Sequence, residues 1–346
     1  MRIGYCNPGY PVIRNILNKC PNVDYVRVRS IDGMFGSLLS KTPLCHSDTI
    51  MRYLENSFHG GFSNEKVDLY HFFNKTPTWP SRVPYITTFE AELPRKHPEG
   101  VIRDIAVRSM LSDRCKKLIA FSQATYDEQE ERNIQLSLPE LNDKMMVLLP
   151  PQEALVEKPK VERKKGGPIR FLFVGKDLFR KGGKESLKAL AKIRKDANVE
   201  LYLIGDYHHV DYMSSWDVDS ADEMERLIAA NKEWVHYEHS TTNNVVLELA
   251  KRSDVGLLPT RHDTFGYSVL EFQACGLPCV TTDVQALSEV NNNDCGWVIK
   301  ASGGFGGGGA TSSFRRDSER ARARIWRHLR TTRVNRRKGI QSACAD

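Results

Sequence analysis

Short apolar runs of strand length alternate with stretches of helical spacing along most of the chain. Arg2 to Cys6 reads as a strand. Tyr10 to Cys20 has apolar residues at helical spacing (Val12, Ile13, Ile16, Leu17), and Val23 to Val28 reads as a second strand. Residues 30–65 are glycine-bearing and less regular. Val67 to Phe73 and Val83 to Thr88 are predicted strands, Val101 to Arg114 a helix, and Lys117 to Phe121 a strand. Ser122 stands where a helix N-cap belongs, and Met145 to Leu149 reads as a strand ending at Pro150-Pro151.

Residues 151–168 are charged, carry Pro and Gly and have few apolar positions, which is the composition of a linker. A second series follows: strand Ile169 to Val174, helix Lys184 to Ile193, strand Val199 to Ile204, helix Asp219 to Ala230, strand Trp234 to Tyr237 and helix Asn243 to Lys251. The segment from Ser253 to Asp283 then reads as strand, turn, helix, strand, and Trp297 to Ile299 is the last clear strand. Two alternating runs around one linker predict an α/β protein with two parallel-sheet domains, at 1–150 and 169–300, facing a cleft.

The Ser253 to Asp283 segment carries the most chemistry. His262, Asp263 and Thr264 are expected at the head of its helix, Val269, Leu270 and Phe272 form an apolar face, and Gly276-Leu277-Pro278 stops it. A helix start of this kind suits a phosphate or a sugar hydroxyl. Glu271 is an acid within an otherwise apolar face and needs a partner there. The bland alternative is an ordinary buried α/β unit with a surface Asp. At these residues the chain resembles the retaining family-4 glycosyltransferases of the GT-B fold. Their signature, Glu-x7-Glu followed by a small-Gly-Leu-Pro turn, stands here as Asp263-x7-Glu271 with Ala274-Cys275-Gly276-Leu277-Pro278 after it. Asp263 in place of the first Glu keeps the charge but shortens the reach by a methylene.

The resemblance implies roles for further residues. Gly175 to Gly183 follows a strand and precedes a helix, and it resembles the family's donor-phosphate loop, which gives Arg180 and Lys181 the nucleotide phosphates. Gly205-Asp206 ends the next strand and matches a donor-site turn, and Tyr237 stands where the family places the base. Asp263 would hold donor-sugar hydroxyls, Glu271 the ribose hydroxyls, and the N–H groups of Thr264, Phe265 and Gly266 would face sugar and phosphate. Glu90, after Thr87-Thr88-Phe89, stands where the family often has a His near the reacting centre. Asn7-Pro8-Gly9-Tyr10 and Ser122-Gln123 are weaker matches to an acceptor loop and a helix start near the phosphates. Asp217-Val218-Asp219 is formally a DxD, but Asp219 or Ser220 reads better as a helix N-cap. His208-His209 with Asp211 lacks metal-site spacing. No metal and no cofactor beyond the nucleotide-diphosphate sugar is expected. The function implied is transfer of a hexose to a sugar or glycan hydroxyl with retention. The alternatives are a nucleotide-sugar epimerase on the same fold, or an inactive nucleotide-sugar or nucleic-acid binding protein.

Charge adds one correction to this picture. The formal charge of +7 is concentrated at the end: residues 301–346 carry ten arginines and Lys338 against Asp317, Glu319 and Asp346, so the body is near neutral. Six glycines in residues 301–310 precede that arginine-rich segment, which reads as a solvated, disordered tail or as a shifted reading frame. An arm for RNA or an anionic membrane surface is the third reading, although no stable nucleic-acid partner is expected. No apolar run approaches a membrane span, and the start lacks the apolar core of a signal peptide. The eight cysteines are scattered and read as reduced thiols of a cytoplasmic protein.

Overall fold

The computed structural model describes residues 1–6, 10–17, 21–39, 59–63, 66–79, 81–95, 100–157, 166–209 and 218–301. The Asn7-Pro8-Gly9 loop, residues 158–165 of the expected linker, Asp211, Asp217 and the basic segment from 302 onward lie outside these. The chain divides after Pro151 into two compact units.

In chain order the first unit contains β1 (Arg2–Tyr5), α1 (Tyr10–Asn15), β2 (Asp24–Arg27), β3 (Arg29–Ser30), α2 (Ile31–Leu39), β4 (Gly61–Phe62), β5 (Leu69–Phe73), β6 (Tyr85–Phe89), α3 (Val101–Leu111), β7 (Cys115–Ala120), α4 (Gln123–Gln135) and β8 (Met145–Val147). Among the described residues its main sheet runs β2-β1-β5-β6-β7-β8, parallel throughout. The region expected to be irregular holds α2 and the small β3–β4 antiparallel pair. Two glycines within α2 weaken its helical signal. Contacts outside the helix compensate: the Ile31 N–H donates to the Gly60 carbonyl (3.0 Å) and the Gly33 N–H to Ser30 Oγ (3.1 Å). Ser122 caps α4 as expected, accepting the Thr125 N–H at 3.0 Å.

The second unit contains β9 (Ile169–Asp177), α5 (Gly183–Ile193), β10 (Val199–Asp206), α6 (Val218–Ala230), β11 (Val235–Glu238), α7 (Asn243–Arg252), β12 (Val255–Leu258), α8 (Tyr267–Ala274), β13 (Cys279–Thr282), α9 (Leu287–Val290) and β14 (Trp297–Ile299). Its parallel sheet runs β11-β10-β9-β12-β13-β14 among the described residues. Phe171, Phe173, Leu201, Leu203 and Val255 are buried in its core, as a sheet covered on both faces requires. The chain just after Pro151 is tied to this unit, since the Leu155 N–H donates to the Ala274 carbonyl at 2.8 Å.

Two expected helix starts need correction. Asp219 and Ser220 lie inside α6 rather than capping it. His262 to Thr264 lie in a loop before α8, which starts only at Tyr267. Gly266 is left-handed (φ 89°), and that conformation interrupts helix propagation. The end of α8 falls where the sequence predicts. The Gly276 N–H donates to the Gln273 carbonyl (2.8 Å) and the Leu277 N–H to the Phe272 carbonyl (2.9 Å), the paired bonds of a Schellman closure.

Candidate active site

Strand order reverses between β9 and β12 in the second unit, and open α/β sheets bind ligands outside the carboxyl ends at such a point. The loops after these two strands hold Arg180, Lys181 and Asp263. Asp177, at the end of β9, has no exposed surface, and its carboxylate accepts the Arg180 N–H (2.9 Å) and Nε (3.4 Å). A buried carboxylate requires such donors. The other end of the guanidinium reaches across: Arg180 Nη1 donates to the His262 carbonyl at 2.9 Å, and the Arg261 N–H donates back to the Arg180 carbonyl at 2.9 Å. A second cross-link, Arg261 with Glu185, lies beside it. Gly182 lets the loops approach this closely. Its φ is 84°, and a Cβ there would sit 2.3 Å from the Pro259 carbonyl oxygen.

Lys181 Nζ forms an ion pair with Asp263 Oδ2, both side chains being largely buried. Asp263 Oδ1 accepts the N–H groups of Phe265 (3.4 Å) and Gly266 (3.2 Å), while the Asp263 N–H donates to Gln285 Oε1 at 3.2 Å. The expected cations and the expected acid are therefore brought together. The Phe265 and Gly266 N–H groups turn toward Asp263, as an aspartate two or three residues upstream in a turn commonly arranges. The Phe265 ring is fully buried and belongs to the packing.

Glu271 lies buried in α8, and Asn243 Nδ2 at the start of α7 donates to its Oε1 at 3.2 Å. This supplies the partner that its burial demands. A Cβ on Gly205 would lie 2.2 Å from the Gly175 carbonyl oxygen, so glycine is needed there for β10 to pass the end of β9. Asp206 Oδ1 accepts the His208 N–H (2.7 Å) and faces His239 Nδ1 at 3.5 Å. Tyr237 packs against Tyr207 with ring centres 5.4 Å apart, and Tyr207 against His208 at 4.5 Å. Burial raises the pKa of both tyrosines, which keeps the hydroxyls neutral.

Glu90 belongs to the first unit, just after β6. Asn74, left-handed at φ 54° after β5, holds it twice: Nδ2 donates to Glu90 Oε1 (3.1 Å), and Oδ1 accepts the Glu90 N–H (2.9 Å). Nearby His71 was not singled out from sequence. It is bonded to Thr88 through Nε2 and to Tyr25 OH through Nδ1 (3.1 Å), and burial pushes its pKa down to about 3. Asp177, Gln285 and Asn243 are also absent from the sequence-derived site. Only Asp177 had a local signal, an acid three residues before Arg180. Among the described residues no group of three or more His, Cys, Asp or Glu side chains is arranged to hold a metal ion.

Residues 156–302 match the family described as "Glycosyl transferases group 1". The glycogen synthase of Mycobacterium tuberculosis is 30% identical over 128 residues, which cover 37% of this chain and 29% of that protein. The chain thus spans less than a third of that relative's length. Two solved structures align with 99% of the chain. The glycosyltransferase of Rickettsia africae ESF-5 has a TM-score of 0.59 and 15% identity, with 91% of its own chain covered. Anabaena Alr3699/HepE, solved in complex with UDP-glucose, has a TM-score of 0.61 and 13% identity, with 93% covered. The fold is thereby GT-B, built from two Rossmann-like α/β units. The segment 156–302, with every loop of the switch-point site, carries the group 1 glycosyltransferase domain.

Proposed function

We propose that this chain transfers a hexose from a nucleotide-diphosphate sugar to a sugar or glycan hydroxyl, with retention of configuration. The observation that carries this reading is the Lys181–Asp263 pair, sited with Arg180 at the switch point of the matched domain. Lys181 and Arg180 are the cations a diphosphate requires, and Asp263 is the acceptor that donor-sugar hydroxyls require. Donor binding exchanges partners: the ammonium passes from Asp263 to phosphate, and Asp263 to a sugar hydroxyl. Glu271 takes the ribose hydroxyls and Tyr237 borders the base. The solved Anabaena complex with UDP-glucose supports a nucleotide-sugar donor.

In the reaction the anomeric carbon–phosphate oxygen bond breaks as the bond to the acceptor oxygen forms on the same face. The acceptor proton passes to the departing phosphate. The two cations stabilise the charge growing there, in the role a metal ion plays elsewhere. Glu90 orients the acceptor. A glycosyl adduct trapped on Asp263 or Glu90 would overturn this front-face route.

A thermal-shift screen of UDP-, GDP- and ADP-sugars on the full chain and on Lys181→Ala tests the reading. One nucleotide class should raise the melting temperature of the wild type and not of the variant. No shift with any nucleotide refutes it. Conversion of a sugar-nucleotide without acceptor would indicate an epimerase instead.

A further inference from the structure

A helix laid on a parallel sheet ordinarily buries an apolar stripe. α4 does the reverse. Its buried residues are Thr125, Gln129 and Asn133, at four-residue spacing on one face, while Ile134 is exposed. Burying polar side chains is costly unless each is bonded. Here the bonds run to the loop after β6 that carries Glu90. Gln129 Oε1 accepts the Leu93 N–H at 2.6 Å, and Gln129 Nε2 donates to the Leu93 carbonyl at 3.0 Å. One amide thus grips both backbone polar groups of a buried residue. Gln129 is oriented in turn: Nε2 also donates to Asn133 Oδ1 (2.8 Å), and Asn133 Nδ2 donates to Asn142 Oδ1 (2.8 Å) shortly before β8. Nearer the helix start, the Ser122 hydroxyl donates to Thr125 Oγ1 (2.9 Å), and Thr125 Oγ1 donates to the Glu90 carbonyl (3.4 Å). Arg132 adds an ion pair with Glu92.

Glu90 is thereby fixed from two elements. Asn74, just after β5, holds its side chain and N–H, while α4 holds its carbonyl and, three residues on, the Leu93 backbone. Three residues span at most about 10 Å of chain, so a shift at Leu93 passes to Glu90 with little slack. We propose that Gln129, aided by Thr125, is a positioning residue for the acceptor: through the Leu93 backbone and the Glu90 carbonyl it sets the direction in which the Glu90 carboxylate meets an acceptor hydroxyl. Apolar side chains on α4 would hold the loop in the core, but that attraction is non-directional. Paired hydrogen bonds fix orientation as well. Orientation matters because a displacement of about 1 Å in a reacting site can cost about 10²-fold in rate. The acceptor's part in this rests on the transferase reading, and the anchoring of the loop on the hydrogen bonds alone.

Gln129→Met keeps the length of the side chain and removes the Leu93 bonds, and Thr125→Val keeps the shape and removes the hydroxyl. Each is made in the full chain, alone and combined with Glu90→Gln. Transfer is assayed with the sugar-nucleotide that raises the wild-type melting temperature as donor, and with glucose, galactose, mannose and maltose as acceptors. Gln129→Met should raise KM for the acceptor roughly tenfold, and Thr125→Val by a smaller factor, with KM for the donor unchanged. Combined with Glu90→Gln, neither should add to its effect, because the carboxylate they position is gone. Equal losses toward donor and acceptor, or additive effects with Glu90→Gln, would show a merely structural role and overturn the proposal. Amide hydrogen exchange at residues 90–93 should quicken roughly tenfold in Gln129→Met, with Leu118 to Ala120 of β7 unchanged. Unchanged exchange in the loop overturns the anchoring. Should Gln129→Met fail to fold, Thr125→Val carries the same comparisons. A wild type that consumes no sugar-nucleotide refutes the transferase reading, and the acceptor role of Gln129 falls with it. Transfer that proceeds with additive losses overturns this proposal alone.

Discussion

The two units share a parallel sheet architecture but differ in what stands at its carboxyl edge. In the second unit that edge is laced by opposite charges: Asp177 with Arg180, Lys181 with Asp263, Glu185 with Arg261. In the first unit, the loops after β5 and β6 are joined by an amide, Asn74 with Glu90, and the neighbouring histidine is neutral. The charged edge fixes two cations, Arg180 and Lys181, against carboxylates from the loops around the switch point. The amide-bound edge holds one carboxylate in place through the two hydrogen bonds of an asparagine side chain. One architecture thus supports two electrostatic settings, decided by a few residues at strand ends.

The largest effect expected separates the edges directly. Lys181→Ala should lower sugar transfer by about 10²–10³-fold, the scale for losing one group that stabilises departing charge. A steady-state assay showing a loss of only a few fold would break the contrast, because the charged edge would then be structural. Next comes acid sensitivity of the first unit. The His71 pKa is depressed in the folded state, so as pH falls the unfolded chain gains its proton first. Stability is complete above the ordinary histidine value of 6.5 and declines as pH falls from there toward about 3. The loss should reach about 2 kcal/mol by pH 5. Urea midpoints across this range should show it in the wild type and a flatter response in His71→Gln.

A smaller effect is expected at Gln285, left-handed at φ 46° while its side chain accepts the Asp263 N–H. Gln285→Gly should relieve backbone strain of about 1 kcal/mol yet release the Asp263 loop. Melting temperature should hold or rise while kcat falls. A variant that loses stability and keeps kcat would show that the residue serves packing. The smallest shift in stability belongs to Glu90→Gln. Its amide oxygen can still accept from Asn74, so unfolding should change by less than about 0.5 kcal/mol. If Glu90 orients the acceptor, KM for the acceptor should rise with KM for the donor unchanged.

Much of the fold was legible in the chain. Trp297–Ile299 was bounded correctly because it is a short apolar run set off by Gly296 before it and polar Lys300 after it. α2 was missed because its glycines argue against a helix and its anchors, Ser30 and Gly60, act through capping and a distant carbonyl. Arg180, Lys181 and Asp263 were legible through motif spacing, and the structure joins them. Asp177 was half-visible. Gln285 and Asn243 were not, since each reaches its partner only after the chain has folded back, 22 and 28 residues away.

By itself, then, the sequence determined the alternation of strands and helices, the break near residue 151, and the cationic loop and acidic segment, because these are local properties of apolar period and turn chemistry. Tertiary structure alone decided strand order, and so put the loops after β9 and β12 side by side. It also decided that the Phe265 and Gly266 N–H groups are taken by Asp263 and that Asn243 satisfies Glu271. The physical reason is that a polar group removed from water must bond to whatever the fold brings within about 3 Å, and that choice is made by packing rather than by neighbours along the chain.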